Sequence, residues 1–224
     1  GVQTCALPIW KSISHGVAAL EYDLAKEING QAVATEIARH ELYGCTGAEM
    51  VQEMKPYHID FPNVKNNCLR FEVSPSIEES ATFTDADWAE LGNDFMQRMG
   101  LANHQYIIIR HSGTESKKEQ AHLHILANRV SLSGELYRDN WIGKKATEAA
   151  NAIAKERNFV QSQDIGKVNK AEIKEAMDGV LKKMQGFDFT KFKEELGKRG
   201  FKVREARAST GKLNGYYEIG RAHV

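Results

Sequence analysis

Cysteine is scarce in this chain, with three among 224 residues. A scattered, odd-numbered set gives no disulfide framework and points to a reducing compartment. Net charge is absent too, because 30 Lys and Arg face 30 Asp and Glu. No global field therefore announces a nucleic-acid partner, and such a partner must be met by local patches. No apolar run is long enough to cross a bilayer. No internal repeat or low-complexity tract interrupts the chain. The opening GVQTCALPIW lacks a basic flank and has too short an apolar core for a secretory signal. What remains is a chain long enough for one good-sized core or two small ones.

Both ends read as foreign. One short DNA word encodes Thr4–Ile9, and its reverse complement, shifted by a base, encodes Ile219–Val224. That word resembles a common sequencing adapter. Residues 1–9 and 219–224 are therefore expected to be non-native and to contribute nothing to the fold. The natural chain would then start near Trp10, with part of its first strand lost.

The remainder alternates strand and helix patterns. Residues 10–15 look like the end of a short strand broken by Gly16. Val17 to Lys26 has helical spacing, with Val17, Leu20 and Leu24 on one stripe and Tyr22 off it. Ala32 to Leu42 reads as a second helix capped by Gly44. Thr46-x-x-Glu49 is a capping box that starts a helix through Met54. Leu69 to Ser74 alternates as a half-buried strand. A helix runs from Asp85 to about Met99 behind Thr84, with Trp88, Leu91, Phe95 and Met99 at core spacing. Tyr106 to Val130 reads as two strands joined by a charged loop. Ser133-Gly134 turns the chain, and Glu135–Tyr137 returns as a short strand. Trp141 to Arg157 is an Ala-rich helix. The composition becomes Lys-rich beyond Gln161, which sets a domain boundary at 161–168. The tail predicts helices at 170–184 and 189–197, a strand at 201–204 and a turn at Gly211. We thus expect a main domain at 10–162 and a small basic subdomain at 163–218.

The second strand of the central pair carries His122 and His124 two residues apart, so both imidazoles leave on one face. His111 ends the first strand and can reach the same point. Three imidazoles aimed at one spot on a sheet make a candidate metal site. The alternative is that one or two of them are hydrogen-bonded surface histidines. His15, His40, His58 and His104 stand singly and read as structural.

Five ordered segments, ISHGVAALEY, FEVSPSIEE, NHQYIIIRH, HLHILANRV and GELYRDNWIGKKATEAANAIAKE, resemble the successive motifs of relaxases. These are the mobilization nucleases of plasmids and integrative elements. The resemblance runs from about Ser12 to Phe159. It implies an α+β, HUH-endonuclease-like fold with about five antiparallel strands, helices packed on them, and a small basic α/β extension. It implies nicking of single-stranded origin-of-transfer DNA through a phosphotyrosyl intermediate, in a bacterial cytoplasm and as a monomer. Accessory mobilization proteins and a secretion coupling protein are the further partners it implies.

The first motif places Tyr22 as nucleophile, with Tyr43 as runner-up. A phenol titrates near ~10 and needs help to attack at neutral pH. His111, His122 and His124 map onto the ligands of a divalent metal. Imidazole suits zinc, manganese or nickel, and magnesium is a cellular candidate. Asn128 is expected to hold the site's backbone, and Arg129, Arg138, Lys144 and Lys145 to meet DNA phosphates. Two departures stand out. The family carries an Asp two residues after the first His, and here that position is Gly113, with Glu115 as a candidate substitute. The loop to His122 is also lengthened by Lys117–Gln120. Two alternatives remain: a rolling-circle replication initiator, in which the tyrosine typically follows the histidines, and a catalytically impaired relaxase fragment that still binds DNA.

Overall fold

The computed structural model describes residues 6–113, 120–160, 162–208 and 210–221. The chain folds as two compact units, Gly1–Ser162 and Gln163–Val224.

The first unit is built on a five-stranded antiparallel sheet. Its strands are β1 (Ala6–Ile13), β4 (Ala34–His40), β5 (Cys68–Ser74), β6 (His104–His111) and β7 (His122–Ser131). A two-residue hairpin, β2 (Glu27–Ile28) and β3 (Gln31–Ala32), precedes β4 and turns through Asn29 and Gly30, both at positive φ. The order across the large sheet is β1-β5-β7-β6-β4, which puts β7 at its centre.

Alternation along the strands separates two faces. Leu69, Phe71, Val73, Tyr106, Ile108, Leu123, Ile125 and Ala127 point one way. They pack on Trp88, Leu91, Phe95 and Met96 of α4 (Asp85–Arg98) and on Ile142, Ala146, Ala149 and Ile153 of α5 (Ile142–Glu156). Ile13, Cys68, Ile107, Ile109 and Leu126 point the other way. They meet Ala19 and Leu20 of α1 (Gly16–Leu24) and Met50, Val51 and Met54 of α2 (Gly47–Met54). Leu20 is fully buried, and truncating such a side chain to Ala costs about 2–5 kcal/mol. Thr46 caps α2 and Thr84 caps α4, each in a reciprocal capping box. A short 3-10 turn (Lys55–His58) follows α2, and α3 (Ile77–Ser80) follows β5.

Several expectations give way. Residues 32–42 are not a helix: Ala32 ends β3, and Ala34–His40 is the edge strand β4, paired with β6. The register shifts between Glu36 and Ala38, and this bulge spaces Ala34, Ile37 and Ala38 in a way that mimics a helical stripe. Gly44 therefore caps no helix. On α1, Val17 is exposed, and the buried stripe is Gly16, Ala19, Leu20 and Asp23. A Cβ on Gly16 would lie 2.7 Å from the Cys68 sulfur, so only glycine lets α1 approach the sheet this closely. The first strand is eight residues long rather than a remnant, pairing with β5 from Ala6↔Ser74 to Ile13↔Cys68. Strand pairing uses backbone amides, so it forms whatever the origin of residues 6–9. Glu135–Tyr137 forms no full strand; one bridge joins Leu136 to Val130.

The second unit has α6 (Ser162–Leu181), which starts earlier than expected, and α7 (Phe189–Lys198), capped by Asp188. Its hairpin pairs β8 (Phe201–Arg207) with β9 (Leu213–Arg221). Residue spacing predicts β8 but not β9, whose last residues come from the stretch read as foreign. Ala176, Val180, Phe192, Leu196, Phe201 and Val203 form the core of this unit.

Candidate active site

Cross-strand register assembles the site. His111 on β6 pairs with His122 on β7, and His124 stands two residues along β7 on the same face. All three are buried. Their ring centroids lie 5.4, 4.4 and 4.9 Å apart, and one ligand nitrogen from each lies within 4.8 Å of the others.

The outer hydrogen bonds decide which nitrogens face inward. His111 Nε2 donates to the Asp23 carbonyl oxygen at 2.7 Å. His122 Nδ1 donates to the Gln120 carbonyl oxygen at 3.0 Å. His111 Nδ1 is buried and makes no hydrogen bond among the described residues. A buried, orphaned lone pair is costly unless something accepts it, and a divalent ion does. Burial pushes the His111 imidazole below its ordinary value, against the pull of its bond to Asp23. The neutral ring is the form a metal requires. The donor set and the orphaned nitrogen therefore fit a divalent cation, and three protein ligands leave positions open for phosphate oxygens.

Asp23 carries no motif signal in the sequence, yet it ties the cluster together. It is 1 % exposed. Arg70 on β5 grips its carboxylate with two bonds, Nε to Oδ2 at 3.0 Å and a terminal nitrogen to Oδ1 at 2.5 Å. His124 Nδ1 lies 3.8 Å from the same Oδ1 and 3.3 Å from Arg70. Arg70, a donor only, gives its hydrogen bond to His124 Nδ1, so the Asp23 carboxylate orients that ring through the guanidinium it anchors. Burial pushes the Asp23 carboxyl up, while Arg70 and the neighbouring histidines pull it down. One residue thus steadies two of the three imidazoles, His111 through its backbone carbonyl and His124 through the Arg70 that its carboxylate anchors.

Tyr22 immediately precedes Asp23. It is 56 % exposed, on the side of α1 away from the core. Its oxygen accepts a hydrogen bond from Lys26 Nζ at 2.7 Å, one helical turn on. That ammonium stands beside the atom on which negative charge gathers as a phenol attacks. Tyr43 is 76 % exposed and donates to the Glu41 carboxylate at 3.0 Å, which pushes its phenol up. Tyr22 thus accepts from an ammonium, whereas Tyr43 donates to a carboxylate.

A pocket of about 120 Å³ opens beside His124, lined by Lys11, Ile13, His15, Arg70, Phe71 and Glu72. Ser74, whose position on β5 is next to His122 on β7, has a buried hydroxyl with no hydrogen-bond partner among the described residues. Sequence reasoning assigns none of these to the site. Their signal was hidden in the outward half of the β1 and β5 alternation.

The other expected residues sit elsewhere. Asn128 shares the histidine face but lies four residues further along β7. Its side chain joins Gln105 Oε1 at 3.0 Å and His58 Nε2 at 2.7 Å, so it braces the far end of the sheet. Arg129 is spent on structure, bonding the Tyr137 and Asn66 carbonyls and the Asp139 carboxylate, the last at 2.7 Å. Arg138, Lys144 and Lys145 stand around the start of α5, which covers the opposite face of the sheet. Glu115, Lys117 and Lys118 lie outside the described residues.

The model of the relaxase family, MobA/VirD2-like, nuclease domain, matches residues 22–159, well over half of the chain. The chain belongs to this family. No curated protein and no solved structure matches it. The antiparallel five-stranded sheet is the HUH-like fold the motifs implied, and the match begins at Tyr22. The first unit is accordingly a relaxase nuclease domain, a DNA-nicking module. Among the described residues, no helix is long and apolar enough to cross a membrane.

Proposed function

We propose that this relaxase cuts single-stranded origin-of-transfer DNA by transesterification at Tyr22. The observation that carries the reading is the buried triad of His111, His122 and His124, held by the residue next to Tyr22. The Tyr22 oxygen attacks the scissile phosphorus and forms a new P–O bond. The P–O bond to the neighbouring sugar breaks, and that sugar oxygen leaves as a hydroxyl with the proton the phenol gave up. A phosphotyrosyl end stores the bond energy, so the reverse attack rejoins the strand.

His111, His122 and His124 would hold a divalent ion, which when bound would polarise the phosphoryl oxygens and offset their developing charge. The chain's own groups do the rest. Lys26 steadies the attacking oxygen through its 2.7 Å bond. Asp23 and Gln120 hold His111 and His122 by their outer nitrogens, so the inner ones stay free. Lys11 and Arg70 line the pocket at His124 and offer cations to the strand entering there. Zinc, manganese or magnesium is the ion this donor set would take. With Gly113 in place of the family Asp, the orienting carboxylate comes instead from Asp23.

The order of residues favours this reading over a rolling-circle initiator, because Tyr22 precedes the histidines. The protein works in this reading as a monomer in the bacterial cytoplasm, with accessory mobilization proteins and a coupling protein, and residues 163–218 add a basic subdomain. Incubation with single-stranded origin oligonucleotides and Mn²⁺ tests it. A covalent adduct on a denaturing gel, lost in Tyr22→Phe and in the His122→Ala/His124→Ala double variant, is expected. An adduct that survives Tyr22→Phe refutes the nucleophile, and full nicking by the double variant refutes the metal role.

A further inference from the structure

The start of α5 exposes a second set of groups that the triad does not use. Trp141 is 81 % exposed, the largest exposure of any big apolar side chain among the described residues. Its backbone is left-handed, with φ 59° and ψ 23°, a conformation that bulky residues rarely adopt. It forms no side-chain cap to the helix it precedes. The exposed indole adds no buried area to the core, and retained strain of this kind points to a surface that is used.

Trp10 on β1 lies in the same surface. It is 46 % exposed, and Gly143, two residues from Trp141, sits against its indole so tightly that any Cβ there would overlap the ring. Only glycine therefore lets the first turn of α5 rest on Trp10. Cations surround the pair. Lys144 and Lys145 follow Gly143 on the first turn of α5, and Arg138 precedes the loop. Lys145 is held 4.8 Å over the Tyr137 ring and bonds the Arg138 carbonyl at 3.3 Å. Asp139, the one acid in the loop from Arg138 to Trp141, is consumed by Arg129 and by Ser12 at 2.5 Å. Those bonds pin the loop to β1; Arg138 is exposed, and Lys144, 3.9 Å from Glu148, forms an exposed pair that salt screens and a phosphate can replace.

We propose that Trp10 and Trp141 form a base-stacking platform for single-stranded DNA, with Arg138, Lys144 and Lys145 on the phosphates. Every base has a face that stacks on an indole, and interleaved aromatics and cations are how sequence-tolerant single-strand sites are built. Duplex DNA hides those faces and does not fit. The platform adjoins the candidate active site through one strand. Lys11, the residue after Trp10, points to the opposite side of β1 and lines the pocket at His124. A strand that passes around this edge touches both. The proposal rests on the relaxase reading for its choice of nucleic acid, and it does not require the histidines or a metal.

The test is fluorescence anisotropy with a labelled oligothymidylate of about 16 nucleotides, on the full chain in EDTA. Trp141→Ala is expected to weaken binding on the order of ten-fold, while Trp141→Phe recovers most of it. Indole emission in the wild type should be quenched at saturation, and less so in Trp141→Ala. Thermal midpoints of the variants without DNA should match the wild type. A Trp141→Ala protein that binds as tightly as the wild type overturns the platform, as does a loss found only in Lys144→Ala/Lys145→Ala. Equal affinity for a duplex of the same length also overturns it. The two readings fail separately: nicking lost with Trp141-dependent binding kept refutes the relaxase chemistry alone. Covalent adduct formation with Trp141-independent binding refutes the platform alone.

Discussion

Asp23→Asn separates the carboxylate's duty at the triad from its duty in the fold. The substitution keeps the backbone carbonyl that holds His111 Nε2 at 2.7 Å. It removes the charge that faces His124 Nδ1 at 3.8 Å and takes two bonds from Arg70. Losing an outer partner of a ligand histidine typically costs about 10–100-fold in metal affinity. The cost to stability is smaller than a buried ion pair first suggests. Burial pushes the Asp23 carboxyl up despite Arg70, so the ionised form carries a net penalty in the folded chain. A neutral amide escapes that penalty, and the Arg70 side chain, 31 % exposed, can turn to water. The net change is expected within about 1 kcal/mol, or roughly 2–4 °C in the thermal midpoint. Calorimetric titration of metal-free protein with Mn²⁺ or Zn²⁺ reads the affinity, and a melt in EDTA reads the stability. Wild-type metal affinity in Asp23→Asn refutes the orienting role of the carboxylate. A fall of the metal-free midpoint by more than about 10 °C refutes the stability half of the reasoning.

Two further outcomes follow from burial. Cys45 is exposed, whereas Cys68 is buried beneath Gly16 and its thiol is pushed up to about 12, so iodoacetamide mapped by peptide mass spectrometry should label Cys45 and spare Cys68 until the chain unfolds. Native labelling of Cys68 at a comparable rate contradicts the packing of α1 on β5. Burial also holds His104 below its ordinary value, so the unfolded chain binds the proton more readily. Stability should therefore be lost as pH falls below about 6.5 and through the folded value. In EDTA the urea midpoint should drop between about pH 7.5 and 5.5, and less steeply in His104→Gln. A midpoint that rises on acidification reverses the sign and refutes this placement.

The histidine triad was legible because two adjacent strands with clean alternation carry it, and alternation fixes the face before any fold is known. The helices with capping boxes at Thr46 and Thr84 were legible for a similarly local reason. β4 was not, because a bulge between Glu36 and Ala38 and an Ala-rich sequence imitate a helical period. The role of Asp23 was not legible either. Its partner Arg70 lies 47 residues away, and their meeting depends on α1 crossing β5 at Gly16. Arg129 illustrates the reverse error. A cation beside a motif suggests phosphate, yet folding spends this one on Asp139 and two carbonyls. The strands β1 and β9 show that pairing can recruit residues whose origin the sequence questions.

The central claim is that Tyr22 bears the covalent link, and mapping the adduct tests it most directly. The full chain is incubated with a single-stranded origin oligonucleotide and Mn²⁺, digested with nuclease and trypsin, and sequenced by mass spectrometry. Trypsin cuts after Lys11 and Lys26, so the peptide from Ser12 to Lys26 carries Tyr22 as its single tyrosine. A nucleotide remnant on that peptide, absent when EDTA replaces the metal, is the expected result. A remnant on Tyr43, which fragmentation places within the peptide from His40 to Lys65 because trypsin spares the Lys55–Pro56 bond, contradicts it.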